Sequence, residues 1–157
     1  GEILIKGANV FLGYFKNEEA TKAVFTKDGW FRTGDMGVVD EDGCLFIKGR
    51  SKCMILGPSG QNIYPEEVET VINSQPYVVD SLVVEDDGGL TGLIYPDFAQ
   101  GAKDGMNQDT FIKYIEDTLP ELNKELPNYA KLKKIEVMSE DFERTPKKSI
   151  KRYLYQR

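Results

Sequence analysis

Residues 57–72 read Gly-Pro-Ser-Gly-Gln-Asn-Ile-Tyr-Pro-Glu-Glu-Val-Glu-Thr-Val-Ile, a loop that runs directly into a helix. Pro65 suits the first turn of a helix, where its missing N–H costs no intrahelical hydrogen bond and its fixed φ is already helical. Val68, Val71 and Ile72 then fall on one face of that helix. The stretch predicts a glycine-containing loop followed by an amphipathic helix that packs on a core.

The sequence around this stretch predicts a small α+β domain that extends from about residue 51 to residue 157. Alternating and continuous apolar runs predict strands at 54–56, 78–85, 90–95 and 132–138. Helical spacing of apolar residues predicts helices at 107–119 and 150–155. The order of strands and helices predicts a compact α+β fold.

Residues 1–50 predict mostly antiparallel β structure. Strands are expected at 2–6 and 9–15, and Asn17 is expected to cap a short helix. Residues 28–35 are expected to form a loop. The Asp-Gly pair within Asp40–Gly43 predicts a hairpin between two apolar strands. With so few strands, this β-rich segment is not expected to be stable alone.

Composition excludes several kinds of chemistry. The chain has no histidine, so a Ser-His-Asp triad, a Cys-His dyad and a His-ligated zinc site are all excluded. The net charge is −6, which disfavours generic binding to nucleic acid. Two cysteines, Cys44 and Cys53, fit a reducing compartment better than a disulfide. We therefore expect a cytoplasmic protein with no metal site in this chain.

Four short motifs have both an ordinary structural interpretation and a chemical one. The Arg32–Asp35 segment fits a β-turn or an aspartate that binds a ribose diol. Residues 57–60 fit a plain connection or a phosphate-binding loop. Glu66, Glu67 and Glu69 fit an acidic helix start better than a catalytic cluster. Residues 144–157 hold six of the 20 basic residues and fit a solvated surface or an anion site.

The order and spacing of these motifs resemble the adenylate-forming (AMP-binding) enzymes, and within them long-chain fatty acyl-CoA synthetases. The resemblance covers nearly the whole chain, and the motifs that carry it are spread along it: Gly-Glu-Ile at 1–3, Gly-Trp-Phe-Arg-Thr-Gly-Asp at 29–35, Gly-Arg-Ser-Lys at 49–52, Gly-Pro-Ser-Gly-Gln-Asn-Ile-Tyr-Pro at 57–65, and Thr-Pro-Lys-Lys-Ser-Ile-Lys-Arg at 145–152. The resemblance implies that residues 1–50 end a large domain and that residues 51–157 form a small, mobile C-terminal domain. It also implies a C-terminal fragment of a longer enzyme, inactive by itself.

The resemblance further implies a two-step reaction, in which an acid and ATP form acyl-AMP and the thiol of CoA then attacks it. ATP, CoA and a fatty acid are the expected ligands, with Mg²⁺ bound mainly by the large domain of the same chain. Peripheral membrane association is compatible with such a substrate. The alternatives are a ligase for an aryl or bile acid or for a carrier protein, and a non-catalytic interaction module.

Residue roles follow from the same resemblance. Asp35 and Arg50 match positions that bind the nucleotide, and Lys52 matches the hinge about which the small domain rotates. Three residues match the loop of the thioester step and the pantetheine tunnel: Gly57, Ser59 and Gly60.

The catalytic lysine is where this sequence departs from the family. The family places that lysine three residues before an arginine, and here that position, counted from Arg152, is Ser149. A neighbouring cation is expected to substitute, with Lys148 preferred over Lys147 and Lys151. If none substitutes, adenylation would be weakened.

Overall fold

The computed structural model describes all 157 residues, which form two compact units, Gly1–Met54 and Ile55–Arg157. Strands and helices are mixed within small sheets, so the expected α+β class is confirmed. None of the helices has the length and apolar character needed to cross a bilayer.

The first unit is a three-stranded antiparallel sheet with one short helix. Its elements are β1 (Glu2–Ile5), α1 (Glu18–Val24), β2 (Phe31–Val39) and β3 (Leu45–Arg50), in the sheet order β1-β2-β3. The predicted cap is present, since the Asn17 side chain accepts a hydrogen bond from the Ala20 N–H. The predicted hairpin joins β2 and β3, and Gly43 supplies its positive φ of 82°.

Two predictions for this unit were wrong. Residues 9–15 form no strand, because Phe11 turns into an aromatic cluster with Tyr14, Phe25 and Phe31, at ring separations of 5.1–5.6 Å. The end of the predicted 28–35 loop belongs to β2 instead. Leu4 of the neighbouring strand β1 pairs with Arg32, and this pairing extends the β-ladder into that segment.

The second unit is built on the three-stranded sheet β6-β7-β8, with helices on one face. Strands β6 and β7 are antiparallel, and β8 returns parallel to β7 after a helical crossover. The elements of the unit are β4 (Ile55–Leu56), β5 (Asn62–Ile63), α2 (Pro65–Asn73), β6 (Val78–Asp86), β7 (Gly89–Pro96), α3 (Phe98–Lys103), α4 (Gln108–Glu116), α5 (Leu119–Glu125) and β8 (Leu132–Val137).

Helix α3 was not predicted. Asp97 caps it, but Gly101 in its middle weakens the helical signal in the sequence. The glycine has a packing reason, because a Cβ there would lie 2.8 Å from the Phe111 ring.

Alternation along β6 gives the sheet two buried faces. Val83 points into the main core with Ile72, Phe111 and the other helix residues, whereas Leu82 and Val84 point to the opposite face. That opposite face is covered by Phe142, which is 3% exposed and belongs to the segment after β8. The unit therefore has three layers, and the segment that ends the chain forms the third.

This third layer corrects the predicted terminal helix at 150–155. The segment holds only a short 3₁₀ turn, Arg152–Leu154. Tyr155 packs edge-on against Phe142 with ring centroids 5.3 Å apart, and Ile150 forms a backbone bridge with Arg144. These contacts hold the segment extended across the sheet, which a regular helix over the same residues would not allow.

A network of four charged side chains, that of Arg157 included, joins this residue to the two outer strands of the sheet, β6 and β8. Arg157 binds Asp86 and Glu136, each with a distance of 2.9 Å, and Lys134 binds the same two carboxylates at 2.8 Å. Arg157 and Lys134 lower the pKa of Glu136 to about 2. Lys134, followed by Arg157, also lowers the pKa of Asp86.

We expect this network to make the second unit less stable in acid. The carboxylates have folded-state pKa values below their ordinary values, so their contribution is present above about pH 4.5 and is lost as the pH falls toward 2. Arg157→Ala should lower the free energy of unfolding at pH 7 and much less at pH 2.5. Urea unfolding followed by tyrosine near-ultraviolet circular dichroism reports mainly on this unit, since it contains seven of the eight tyrosines. An equal loss at both pH values would contradict the assignment.

Candidate active site

The first site element is an ion pair between Asp35 and Arg50. These residues face each other across β2 and β3, and Arg50 Nε lies 3.0 Å from Asp35 Oδ1. Arg50 also donates to the Thr33 carbonyl at 3.4 Å. The Asp35 side chain is about one-third exposed, so its second oxygen remains open to a ligand that donates hydrogen bonds, such as a diol.

Glu2 supports the part of strand β2 that carries Asp35, a role that the sequence analysis missed. Its carboxylate accepts hydrogen bonds from the Arg32 guanidinium at 2.7 Å and from the Gly34 N–H at 3.3 Å. Gly34 has a φ of 75°, where a side chain would be strained. The Gly-Glu-Ile motif at 1–3 was the available signal, and its glutamate supports the Thr-Gly-Asp motif of the neighbouring strand.

Lys52 lies in the 3₁₀ turn Ser51–Cys53 and is exposed. The chain passes from the first compact unit to the second between Met54 and Ile55, close to this lysine. This location is compatible with a hinge, and the hinge role stays a prediction.

Residues 57–61 form a tight loop between β4 and β5. The Gly60 N–H donates to the Gly57 carbonyl at 2.9 Å, and Gly60 has a φ of 79°. A Cβ on Gly57 would come within 3.1 Å of Ile63. Ser59 is exposed and hydrogen-bonds to the side chain of Gln61. The close approach of the Ile63 side chain favours glycine at position 57, and the positive φ favours it at position 60.

A groove of about 420 Å³ lies beside this loop. The loop residues Gly57, Pro58 and Ser59 line one part of it, and Tyr129 and Lys131 line another. An extended, partly apolar group fits such a groove, and Lys131 is available to bind a negative charge on that group.

The predicted catalytic lysines lie in and beside a turn at residues 145–149, here called the basic turn. The Thr145 N–H donates to the Ser149 carbonyl at 2.8 Å, and the Lys148 N–H donates to the Thr145 carbonyl at 2.8 Å. Lys148 has a φ of 64°, in the left-handed region that costs a lysine about 1 kcal/mol. Such an outlier persists only where its surroundings impose it.

The three lysines differ in their partners. The ammonium of Lys151 lies 3.0 Å from the Glu143 carboxylate, and this hydrogen bond raises the pKa of Lys151. Lys147 and Lys148 are exposed, and neither ammonium has a partner in the structure. Lys148 and Lys147 are therefore free to meet an anion, whereas Lys151 would first have to leave Glu143.

Glu69 is the second functional candidate that the sequence analysis missed, because it was grouped with an acidic helix start. Its side chain is buried, and its carboxylate binds the Arg152 guanidinium and accepts a hydrogen bond from the Val83 N–H at 2.7 Å. Burial raises the pKa of Glu69, and Arg152 opposes that effect. The only signal in the sequence was its helical spacing from Pro65, which places it on the same side as Val68 and Ile72.

Comparisons with known proteins agree with these motifs. Residues 53–157 match the family described as AMP-binding enzyme C-terminal domain. The long-chain-fatty-acid–CoA ligase FadD15 of Mycobacterium tuberculosis is 33% identical over 172 aligned positions, which cover 97% of this chain and 28% of that protein. A probable 4-coumarate–CoA ligase 2 of Dictyostelium discoideum is 54% identical over 84 positions, which cover 54% of this chain and 15% of that protein.

A solved structure agrees as well. ATP-bound MatB from Rhodopseudomonas palustris is 33% identical, has a TM-score of 0.74, and matches 99% of this chain and 29% of that one. The chain thus spans less than a third of the length of the curated relatives it matches. Because the family match covers most of its residues, the chain belongs to the adenylate-forming (AMP-binding) enzyme family, with the family's C-terminal domain at residues 53–157.

Proposed function

We propose that this chain is the C-terminal part of an ATP-dependent acyl-CoA ligase that activates a long-chain fatty acid as acyl-AMP and transfers it to CoA. The observation that carries the proposal is the alignment of 97% of the chain with a ligase named for that reaction. Residues 1–50 would end the large domain, and residues 51–157 would be the mobile small domain. Aryl or bile acids and carrier-protein loading remain the alternatives for the same chemistry.

The site geometry supports a division of roles. Asp35, with one oxygen held by Arg50, would accept the two ribose hydroxyls of the nucleotide. The Gly57–Gly60 loop, with its neighbouring groove, would receive the pantetheine arm of CoA when the small domain rotates about Lys52. Mg²⁺ would be bound mainly by the large domain.

Lys148 is the best candidate for the adenylation cation. When the acid attacks ATP, negative charge develops on the carboxylate and the α-phosphate, and a preorganised ammonium stabilises it. Lys148 has no competing carboxylate and lies in a turn that holds it in a conformation its side chain disfavours. Its proton stays on the ammonium throughout, because the contribution is electrostatic.

The reaction is tested in the intact enzyme by fatty-acid-dependent exchange of labelled pyrophosphate into ATP, followed by formation of the CoA thioester. We expect exchange with palmitate, and weaker or no exchange with 4-coumarate or a bile acid. Preference for one of the other acids would keep the ligase chemistry and reject the long-chain assignment.

A non-catalytic module is favoured by one observation, namely Ser149 at the lysine position of the family. For such a module we expect no exchange with any acid. Gain of exchange in Ser149→Lys would then identify that serine as the cause, and would contradict the role given to Lys148.

The assignment of Lys148 is tested by Lys148→Gly. Glycine fits the left-handed backbone at this position, so the fold should be unaffected or slightly stabilised while the ammonium is lost. We expect adenylate formation to fall about 10²–10³-fold, with attack of CoA on supplied acyl-AMP nearly unchanged. Lys147→Ala and Lys151→Ala are the matched controls. A selective loss in either control, but not in Lys148→Gly, would move the role to that lysine.

A further inference from the structure

We propose that Arg144 and Arg152 are positioning residues that fix the basic turn, and with it the Lys148 ammonium, for adenylate formation. The inference rests on the proposed function and adds to it the residues through which the turn is held. Arg144, before the turn, contacts strand β6, and Arg152, after it, contacts helix α2, which packs on β6.

Arg144 holds the beginning of the turn. Its Nη2 atom lies 2.7 Å from Asp80 on β6 and 3.0 Å from Asp141, and its Nη1 atom donates to the Lys148 carbonyl at 3.3 Å. Its backbone forms a bridge with Ile150, on the other side of the turn. One side chain thus joins the sheet to the peptide group of the residue that carries the unpaired cation.

Arg152 holds the end of the turn. Its guanidinium is largely buried and binds Glu69, whose other oxygen accepts from the Val83 N–H of β6 at 2.7 Å. A second carboxylate, on Glu66, lies 4.0 Å away. The Glu69 carboxylate therefore links the end of the turn to the middle of strand β6 through two consecutive hydrogen bonds.

Arginine is the residue that this arrangement requires. A planar guanidinium donates several hydrogen bonds in fixed directions, whereas a lysine ammonium acts as a point charge on a flexible stem. Arg144 uses this property by contacting two carboxylates and one carbonyl at once. Four of the five residues of the basic turn are exposed and none belongs to the core. The arginine anchors therefore act together with the backbone hydrogen bonds within the turn to hold its conformation.

The test is a double-mutant comparison in the intact enzyme. Arg144→Ala and Arg152→Ala are each made alone and together with Lys148→Gly, and both half-reactions are measured. Arg157→Ala is the matched control, because it removes a guanidinium with two carboxylate partners from the same segment but beyond the turn. Hydrogen exchange of residues 145–149 gives a readout that does not depend on activity.

We expect each arginine variant to lower the kcat of adenylate formation about 10–100-fold, with little change in KM and little change in the thioester step. In the Lys148→Gly background the arginine changes should add almost nothing. Exchange at 145–149 should rise in both variants and stay unchanged in Arg157→Ala.

The inference is overturned if the rate losses of the arginine variants and of Lys148→Gly multiply in the double mutants, or if both half-reactions fall together. It is also overturned if hydrogen exchange at residues 145–149 stays at the wild-type level in the arginine variants. A wild-type enzyme without acid-dependent exchange would instead reject the proposed function, and the positioning role would be rejected with it.

Discussion

The carboxylate of Glu69 is the constraint on which the second unit depends. It lies buried at the junction of helix α2, strand β6 and the segment after β8, where it satisfies a strand N–H and a guanidinium at the same time. Removing one partner of such a buried pair leaves the other charge uncompensated and typically costs 3–5 kcal/mol in proteins. The contact thus specifies where the last part of the chain lies.

The segment after β8 both packs on the sheet and carries the lysines proposed for adenylation. The segment after β8 covers the second face of the sheet with Phe142 and Tyr155, so it is part of the core and not a loose end. The basic turn belongs to this segment, and its two lysines, Lys147 and Lys148, are exposed. A rigid base and an exposed cation suit electrostatic catalysis, which depends on charges already in position before the reacting charge develops. In the first unit, Arg50 binds the Asp35 carboxylate directly, and Glu2 accepts a hydrogen bond from the N–H of the preceding residue, Gly34.

Much of the fold could be predicted from the sequence because the signals were local. Pro65 and its apolar face predicted α2, Asn17 predicted α1, and the Asp-Gly pair predicted the β2–β3 hairpin. The errors came from tertiary contacts: Phe11 joins an aromatic cluster instead of a strand, and residues 150–155 lie across a sheet instead of forming a helix. Propensity alone has no information about either contact.

The residues of the candidate site likewise divide into those that the sequence predicted and those that only the folded chain reveals. Motif spacing indicated Asp35, Arg50 and the 57–60 loop, but its only ground for preferring Lys148 over the other two lysines was the position of Lys148 beside Ser149. Their different partners, and the left-handed φ of Lys148, become visible only in the folded chain. Glu69 was overlooked because an acidic residue in the first turns of a helix usually faces solvent, and its buried guanidinium partner lies 83 positions away in sequence.

The central claim is that the Lys148 ammonium meets the reacting groups during adenylation. A crystal structure of the intact enzyme with a non-hydrolysable acyl-adenylate analogue, in the adenylate-forming orientation, tests it most directly. We predict that Lys148 Nζ lies about 3 Å from the oxygens that stand in for the acyl carboxylate and the α-phosphate, with Asp35 on the ribose hydroxyls. A structure in which Lys151, or a residue outside the basic turn, occupies that position would contradict the claim.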